Sequence, residues 1–304
     1  MGRYRRIMTA SAAPADRAEA IERDARLEDI DWSVPPPGAV VSSFAAPSGS
    51  LAAVALGEPA RGRIVLVPGA TGSKEDFAHM LPDLAAAGYR VESFDLAGQH
   101  GSAAAGPPAG EPYTDELFDR DLVAFLRDGG PAHLLGYSFG GMLAQRVAVR
   151  HPELVRSLAL LTTPPATGNV FRGMKVLGPI AGLAGPRTGA ALLIWGVRWN
   201  LNRVRPGRLA FVRSRFAFTR RSSVDDMVGL MMRAPDLRAA VRALPVPKLV
   251  ATGTHDLWPV AAHERYASDI GAELHVYDTG HSPCETTPHQ LCADLLSLYS
   301  RTEE

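Results

Sequence analysis

The sequence predicts an α/β protein built on a mostly parallel sheet with helices on both faces. Two observations support this prediction. Short apolar runs alternate with segments of helical periodicity along most of the chain. In addition, each unusual loop, rich in glycine and polar residues, directly follows an apolar run. Because α/β proteins carry their functional side chains at the carboxyl ends of strands, these loops are candidates for a functional site.

Eight strands are predicted from the apolar runs, at residues 40–44, 51–56, 64–67, 90–94, 133–137, 155–161, 248–252 and 273–277. The run at 64–67 is continuously apolar, as expected of a strand that helices cover on both faces. Helical periodicity predicts helices at residues 74–87, 119–127 and 141–151, another that begins near Pro259, and one that closes the chain.

Three parts are predicted: an N-terminal extension, partly mobile, at residues 1–37; an α/β core at residues 38–163 and 246–304; and a helical, Arg-rich cap at residues 164–245. The cap is inserted after the sixth strand, where the alternation of strands and helices stops. Helical patterns dominate it, with Trp195 and Trp199 one turn apart.

Ser138 lies in the sequence Gly136-Tyr137-Ser138-Phe139-Gly140, between a predicted strand and a predicted helix. This layout is typical of a nucleophile elbow, a sharp turn that exposes one serine. Glycines at the two outer positions let the backbone pass close to itself. Because the chain holds 29 glycines, the motif alone is a weak signal, and the flanking strand and helix carry the interpretation.

An acid and a histidine follow Ser138 at the ends of two later strands. Asp256 comes after the predicted strand at 248–252, and His281 comes after the predicted strand at 273–277. Serine, acid, histidine is one of the orders in which catalytic triads occur. In such a triad the imidazole takes the serine proton, while the carboxylate orients the ring and stabilises its charge.

The acid and the histidine each have a simpler interpretation. Asp256 could cap the helix that follows it. His281 could be an ordinary loop histidine, as we expect of His275 and His289. Asp278 is a rival acid, but it lies on the same strand end as His281. The order of the three residues along the chain favours the catalytic interpretation.

Four motifs together resemble those of the α/β-hydrolase superfamily, in its serine-nucleophile, esterase- and lipase-like branch with a helical cap: an oxyanion loop at Pro68–Ser73, the elbow at Gly136–Gly140, an acid loop at Gly253–Asp256 and a histidine loop at Gly280–Pro283. The resemblance runs from about Ala39 to Tyr299. It implies the α/β-hydrolase fold, with an eight-stranded, mostly parallel sheet and a cap after the sixth strand.

The resemblance also implies the roles of the site residues. Ser138 would be the nucleophile, His281 the base and Asp256 the acid that orients it. The backbone N–H groups of Ala70 and Phe139 would form the oxyanion hole. Many members of the superfamily have His-Gly where this chain has Pro68-Gly69, so any support that the histidine gives to that loop must come from elsewhere.

Four further residues are candidate substrate contacts near the predicted pocket: Gln99, His100, Tyr137 and Trp258. Gln99 and His100 could instead only shape their loop. The nine histidines show no spacing typical of metal ligands, so no metal is predicted, and the proposed chemistry requires no cofactor.

The predicted cap carries thirteen arginines and one lysine against three aspartates, in a chain whose net charge is zero. One interpretation is that Leu209, Val212 and Phe216 form an apolar face that seals the pocket, with the arginines solvated or paired to the acidic core. The alternative is that the cap attracts an anionic substrate, a carrier-linked acyl group or a membrane surface. No nucleic-acid partner is expected, because no binding module accompanies the charge. The oligomeric state is left open.

The predicted function is that of a serine hydrolase that cleaves a carboxylic ester or a related acyl bond. One alternative is a C–C bond hydrolase of diketone-type intermediates, and another is a ligand-binding protein without turnover. Because the nucleophile is a serine, the epoxide-hydrolase and dehalogenase branches, which need a carboxylate nucleophile, are disfavoured.

The predicted location is the cytoplasm. Cys284 and Cys292 are expected to lie on one late helix and to be reduced. The basic N-terminus is not followed by the apolar segment of a secretory signal, and Met8 is an alternative start.

Overall fold

A computed structural model describes residues 14–175, 185–188, 190–191 and 204–302. Its strands are β1 (Val40–Ala46), β2 (Gly49–Leu56), β3 (Gly62–Val67), β4 (Tyr89–Phe94), β5 (Ala132–Tyr137), β6 (Val155–Leu161), β7 (Lys248–Gly253) and β8 (Glu273–Tyr277). They form one sheet in the order β1-β2-β4-β3-β5-β6-β7-β8. The pairs β1–β2 and β2–β4 are antiparallel, and all other neighbours are parallel. The predicted eight-stranded, mostly parallel sheet is therefore confirmed.

The α-helices whose bounds are described in full are α1 (Pro14–Ala25), α2 (Leu81–Ala86), α3 (Asp115–Gly129), α4 (Phe139–Arg150), α5 (Pro206–Phe218), α6 (Arg221–Met231), α7 (Arg238–Ala243), α8 (Val260–Ile270), α9 (Pro283–Thr286) and α10 (Pro288–Ser300). Alternate residues of β3 point to opposite faces of the sheet. Val65 and Val67 join an apolar cluster with α3, α4 and α8, whereas Ile64 and Leu66 join one with α2 and α10. Helices thus bury both faces of the sheet.

The helix predicted at residues 74–87 is interrupted. The structure has a 3-10 turn at Lys74–Phe77 and then α2, with Pro82 in its first turn. A proline in the interior of one continuous helix would remove a backbone hydrogen bond and clash with the preceding turn. Pro82 is tolerated where a new helix begins.

The two cysteines lie on different helices, so the prediction of one late helix is wrong. Cys284 lies in α9 and Cys292 in α10, and Pro288 begins the second helix. A residue that precedes proline is disfavoured in the helical conformation, which explains the break at Thr287. Both thiols are free and buried.

The segment between β6 and β7 contains α5, α6 and α7, and the predicted helix with Trp195 and Trp199 lies outside the described residues. Of the three residues of the predicted apolar face of α5, only Val212 is fully buried. The buried face consists of Arg208, Phe211, Val212 and Arg215, while Leu209 and Phe216 are only half-buried. Arg208 and Arg215 are therefore inside the protein and paired with acids of the core, which is one of the alternatives that the sequence left open.

Residues 14–37 pack on the rest of the molecule at several points. Asp24 accepts hydrogen bonds from the backbone N–H groups of His289 and Gln290, at 2.9 and 3.1 Å. Trp32 is buried, with its ring face 4.4 Å from the Arg208 guanidinium carbon. None of the helices in the described ranges combines the length and apolar character that a membrane crossing requires.

His275 is a strand residue in β8, not the loop histidine that we expected. Its Nδ1 lies 2.8 Å from Asp294 Oδ2. Burial lowers the pKa of His275, but hydrogen bonds to Asp294 and Glu273 outweigh burial and raise the pKa from 6.5 to about 9. The charged ring therefore stabilises the fold fully below pH 6.5, and this stabilisation is lost as the pH rises through about 9.

Replacement of His275 by glutamine is expected to remove this pH dependence. Between pH 6.5 and 9.5 the wild type should lose roughly 3 kcal/mol more of its free energy of unfolding than the variant, because one pKa unit corresponds to about 1.4 kcal/mol. Urea unfolding at a series of pH values measures the difference. His255→Gln, at an exposed histidine 3.7 Å from Asp278, is the matched control and should behave as the wild type. Equal pH slopes for all three proteins would contradict the assignment.

Candidate active site

Ser138 occupies the turn between β5 and α4, as the sequence predicts. Its backbone has φ 52° and ψ −115°, a conformation that residues other than glycine rarely adopt. A Cβ atom on Gly136 would lie 2.4 Å from the carbonyl oxygen of Gly140, so the two outer glycines are required by the close passage of the backbone. This tight turn holds the serine at the carboxyl end of the sheet.

Asp256 and His281 converge on Ser138 from the ends of β7 and β8. His281 Nε2 lies 3.2 Å from Ser138 Oγ, and His281 Nδ1 lies 2.5 Å from Asp256 Oδ1. The three side chains form a continuous hydrogen-bonded chain, because neighbouring parallel strands deliver their loops to the same edge. Asp278, the rival acid, lies 3.1 Å from Thr254 and faces solvent, away from this chain.

Neighbouring loops fix the position of His281. The Thr162 hydroxyl, at the end of β6, donates to the His281 carbonyl oxygen at 2.9 Å. The backbone N–H of His255 donates to the Thr279 carbonyl oxygen at 2.9 Å, which ties the acid loop to the histidine loop. Thr162 was not predicted as a site residue, although it stands directly after a predicted strand.

Asp256 is buried and accepts hydrogen bonds on both carboxylate oxygens. His281 contacts Oδ1. The other oxygen, Oδ2, lies 2.8 Å from His263 Nε2 and 3.3 Å from Thr252 Oγ1. Burial raises the pKa of Asp256, but the hydrogen bonds from His263 and His281 outweigh burial and hold the pKa well below 3.8. The carboxylate is therefore ionised at neutral pH. His263, on α8, was not singled out from the sequence.

The loop after β3 passes beside Ser138. A Cβ atom placed on Gly69 would lie 3.2 Å from Ser138 Cβ, so the loop and the elbow are in close contact. Ala70 follows on this loop, and Phe139 is the first residue of α4. The first N–H groups of a helix have no acceptor within the helix, and the Phe139 amide is one of these. Both predicted oxyanion donors thus belong to segments that border the serine.

Gln99 and His100 contact the inserted helices. Gln99 is fully buried and donates through Nε2 to Ser223 Oγ at 2.8 Å, on α6. The His100 ring packs edge-on against Phe211 and Phe218 of α5, with ring centroids 5.6 and 6.3 Å apart. These contacts favour the interpretation that both residues shape their loop, and contact with substrate stays a prediction.

Tyr137 and Trp258 flank His281. The Tyr137 hydroxyl lies 2.8 Å from Ser282 Oγ, and its ring centroid is 5.5 Å from that of His281. Trp258 donates from Nε1 to the Val170 carbonyl oxygen at 2.9 Å, and its ring is 5.9 Å from His281. Their positions beside the imidazole agree with a place in the pocket wall, and contact with substrate stays a prediction.

A buried arginine cluster, formed by Asp76, Arg208, Arg215 and Glu285, joins α5 to the loops around the site. Asp76 Oδ1 accepts from Arg208 Nη2 at 2.5 Å and from Arg215 Nη1 at 2.6 Å. Glu285 binds Arg208 through both oxygens, at 2.9 and 2.6 Å. Burial raises the pKa of Asp76, but the guanidinium groups outweigh burial and lower it below 3.8. These two arginines are thus paired with core acids.

One group of metal-ligand type occurs within the described residues, formed by Glu75, Asp95 and His100, whose ligand atoms lie within 4.8 Å of one another. The Lys74 ammonium lies 2.6 Å from Glu75 Oε1 and 3.3 Å from Asp95 Oδ2. Burial raises the pKa of Asp95 to about 6, and the ammonium of Lys74 limits this rise. Because the ammonium of Lys74 already binds both carboxylates, we assign no metal to them.

A groove of about 340 Å³ lies apart from Ser138. Its walls are the segment 107–113 together with Arg220, Ser222 and Asp226. The groove offers no serine paired with a histidine, so its size alone does not make it a reaction site. The hydrogen-bonded chain of Ser138, His281 and Asp256 identifies the candidate active site.

The site lies within a region of the chain that matches a known protein family. The model of the alpha/beta hydrolase family matches residues 64–295, which cover most of the chain. This range includes Ser138, Asp256 and His281.

Individual proteins resemble shorter parts of the chain. A bifunctional epoxide hydrolase 2 of Sus scrofa is 40% identical over 96 residues, which are 30% of this chain and 17% of that protein. A pimeloyl-[acyl-carrier protein] methyl ester esterase of Chromobacterium violaceum is 40% identical over 92 residues, which are 29% of this chain and 32% of that protein. The chain thus spans less than a third of the length of either relative.

Among solved structures, a hydrolase from Pseudomonas aeruginosa PA01 has a TM-score of 0.67 and 24% sequence identity, covering 85% of this chain and 97% of that one. This likeness supports the fold. Together with the family match and the predicted motifs, it leads to one conclusion: the chain belongs to the alpha/beta hydrolase family.

Proposed function

We propose that the protein is a serine hydrolase that cleaves a carboxylic ester, or a related acyl bond, through an acyl-enzyme intermediate. The observation that carries the proposal is the contact of 3.2 Å between Ser138 Oγ and His281 Nε2, continued to Asp256 at 2.5 Å. A serine hydroxyl is a weak nucleophile near neutral pH and needs such a base.

In the first half of the reaction, Ser138 Oγ attacks the carbonyl carbon while its proton moves to His281 Nε2. The oxyanion that forms accepts hydrogen bonds from the backbone N–H groups of Ala70 and Phe139, each worth on the order of 3 kcal/mol of barrier. Asp256 stabilises the imidazolium through Nδ1. The tetrahedral intermediate collapses, the C–O bond breaks, and His281 returns its proton to the leaving alcohol.

In the second half, water replaces the alcohol. His281 takes a proton from the water while the water oxygen attacks the acyl carbon of the Ser138 ester. Collapse of the second tetrahedral intermediate releases the carboxylic acid, and the proton returns to Ser138 Oγ. The serine, the imidazole and the carboxylate are thereby regenerated without a cofactor.

The similarity to an epoxide hydrolase does not extend this proposal to epoxides. Attack of a serine oxygen on an epoxide carbon would leave an ether on Ser138, which an imidazole-activated water does not cleave. Attack on an ester leaves an acyl group, which water removes. The name of the Chromobacterium relative, a methyl ester esterase, agrees with the second chemistry.

Wild-type protein is expected to hydrolyse p-nitrophenyl esters and to prefer small or medium acyl groups, because Ser138 is only 9% exposed. Rates should be measured from acetate to decanoate. In parallel, a fluorophosphonate should attach covalently to Ser138, as located by peptide mass spectrometry, and heat-denatured protein should not react.

The alternatives give different outcomes. Labelling without ester turnover would favour cleavage of a C–C bond in a diketone over cleavage of an ester. Neither labelling nor turnover in folded protein would contradict the proposal and would favour a binding protein without turnover.

A further inference from the structure

His263 adds a fourth side chain to the chain of hydrogen bonds in the candidate site. It lies on α8, seven residues after Asp256, and is fully buried. Its Nε2 is 2.8 Å from Asp256 Oδ2, the carboxylate oxygen that His281 does not contact. The two imidazoles therefore hold the same carboxylate from opposite oxygens.

The geometry fixes the proton on the His263 ring. Asp256 is ionised and can only accept hydrogen bonds, so the nitrogen that faces it must carry a hydrogen. In the described structure, His263 Nδ1 is buried and has no hydrogen-bond partner. A proton on Nδ1 would be a buried donor without an acceptor, which is unfavourable. The hydrogen of the His263 ring is consequently assigned to Nε2.

We propose that His263 is a positioning residue for the hydrolysis proposed above: its Nε2–H holds the Asp256 carboxylate in the plane that directs Oδ1 to His281. The other donor to Oδ2, Thr252 Oγ1, is more distant at 3.3 Å. Without His263, the carboxylate loses its short second contact and can rotate about its Cβ–Cγ bond. If Oδ1 is misoriented, the imidazole of His281 is no longer held in line with Ser138 Oγ, and proton transfer becomes slower.

A role in packing alone does not account for this residue. An apolar side chain of similar size would fill the position without a buried nitrogen that lacks a partner. The hydrogen bond that Nε2 makes to the Asp256 carboxylate offsets the cost of burying Nδ1 without a partner. This bond is therefore the feature that a test must remove or preserve.

Two substitutions at His263 separate the hydrogen bond from packing. In His263→Gln the amide nitrogen replaces Nε2 and can still donate to Asp256, whereas His263→Leu fills the space without a donor. We expect the leucine variant to lose about 10- to 100-fold in kcat for a p-nitrophenyl ester with KM changed less than about threefold, as for other residues that orient a ligand or base. The glutamine variant should recover most of this loss.

His289→Leu is the matched control. His289 also pairs with an aspartate, with Nδ1 2.7 Å from Asp83 Oδ2, but on a different part of the fold. The kcat of the His289→Leu variant should equal that of the wild type. Thermal unfolding of all variants should be recorded. Equal losses of kcat in the glutamine and leucine variants, or a leucine variant with unchanged kcat, would overturn the proposal.

A spectroscopic measurement tests the same contact without relying on turnover. In protein with ¹⁵N-labelled histidine rings, NMR should show a neutral His263 ring protonated on Nε2. This signal should disappear in His263→Gln and shift in Asp256→Asn. A ring protonated on Nδ1 would overturn the proposal. If the expected signal is found in a protein that neither turns over esters nor reacts with a fluorophosphonate, the proposed function fails while the contact between His263 and Asp256 stands.

Discussion

Replacement of Ser138 by alanine is expected to lower kcat/KM for p-nitrophenyl esters by a factor on the order of 10⁴ to 10⁶. The variant lacks the oxygen that forms the acyl-enzyme, while His281, Asp256 and the two backbone amides stay in place. The remaining rate should reflect oxyanion stabilisation and binding alone. Covalent labelling by a fluorophosphonate should be lost as well.

Ser282→Ala is the matched control for this substitution. Ser282 is a second serine beside His281, and its Oγ lies 2.8 Å from the Tyr137 hydroxyl instead of in the chain to Asp256. We expect this variant to keep activity within about tenfold of the wild type, as for the loss of one neutral hydrogen bond. Both variants should unfold at temperatures close to that of the wild type. Retention of more than a few per cent of activity in Ser138→Ala would show that another group is the nucleophile.

The sequence was sufficient to predict the sheet and the three residues that meet in the candidate site. Each of them stands in a short loop directly after a strand, and a parallel sheet delivers such loops to one edge. Periodicity and local motifs therefore contain most of the necessary information. The two glycines around Ser138 also indicate a sharp turn, and the positive φ of 52° at Ser138 confirms this conformation.

Features that depend on distant partners could not be predicted in this way. The arginines of the inserted segment were expected to be either solvated or paired to the acidic core, and helical periodicity could not say which arginines, such as Arg208 and Arg215, are the paired ones. Their partner Asp76 is separated from them by 132 and 139 residues. Nothing local marks an arginine that will be neutralised by a carboxylate so far away along the chain.

His263 illustrates the same limit within the site. In the sequence it is one polar residue of an amphipathic helix, and no local motif links it to Asp256. Only the fold shows that the first turn of α8 points its imidazole back at the acid loop. The chemistry of Asp256 thus depends on a residue that sequence reasoning passed over.

Replacement of Asp76 by alanine is expected to destabilise the protein by about 3–5 kcal/mol, because it leaves the guanidinium groups of a buried ion cluster without their shared carboxylate. Arg208 would keep Glu285, but Arg215 would keep no carboxylate among the described contacts and would retain its hydrogen bond to Ser73 Oγ, at 3.0 Å, and its contact with the Phe211 ring. Asp76 also accepts from the backbone N–H of Ser73 at 3.2 Å, so the loop that follows Ala70 loses a contact as well. Denaturant unfolding of the full chain measures the loss.

Asp225→Ala is the appropriate comparison for Asp76→Ala. Asp225 pairs with Arg221 at 2.7 Å on α6, but the side chain of Arg221 is 50% exposed, and an exposed pair of this kind contributes about 0.5 kcal/mol or less. Adding Arg215→Met to Asp76→Ala should recover part of the stability, because it removes the guanidinium left without a carboxylate. If Asp76→Ala were no more harmful than Asp225→Ala, the cluster would not hold α5 against the loops of the site. The excess of arginine in the inserted segment would then have to be explained by binding of an anionic partner and not by pairing within the protein.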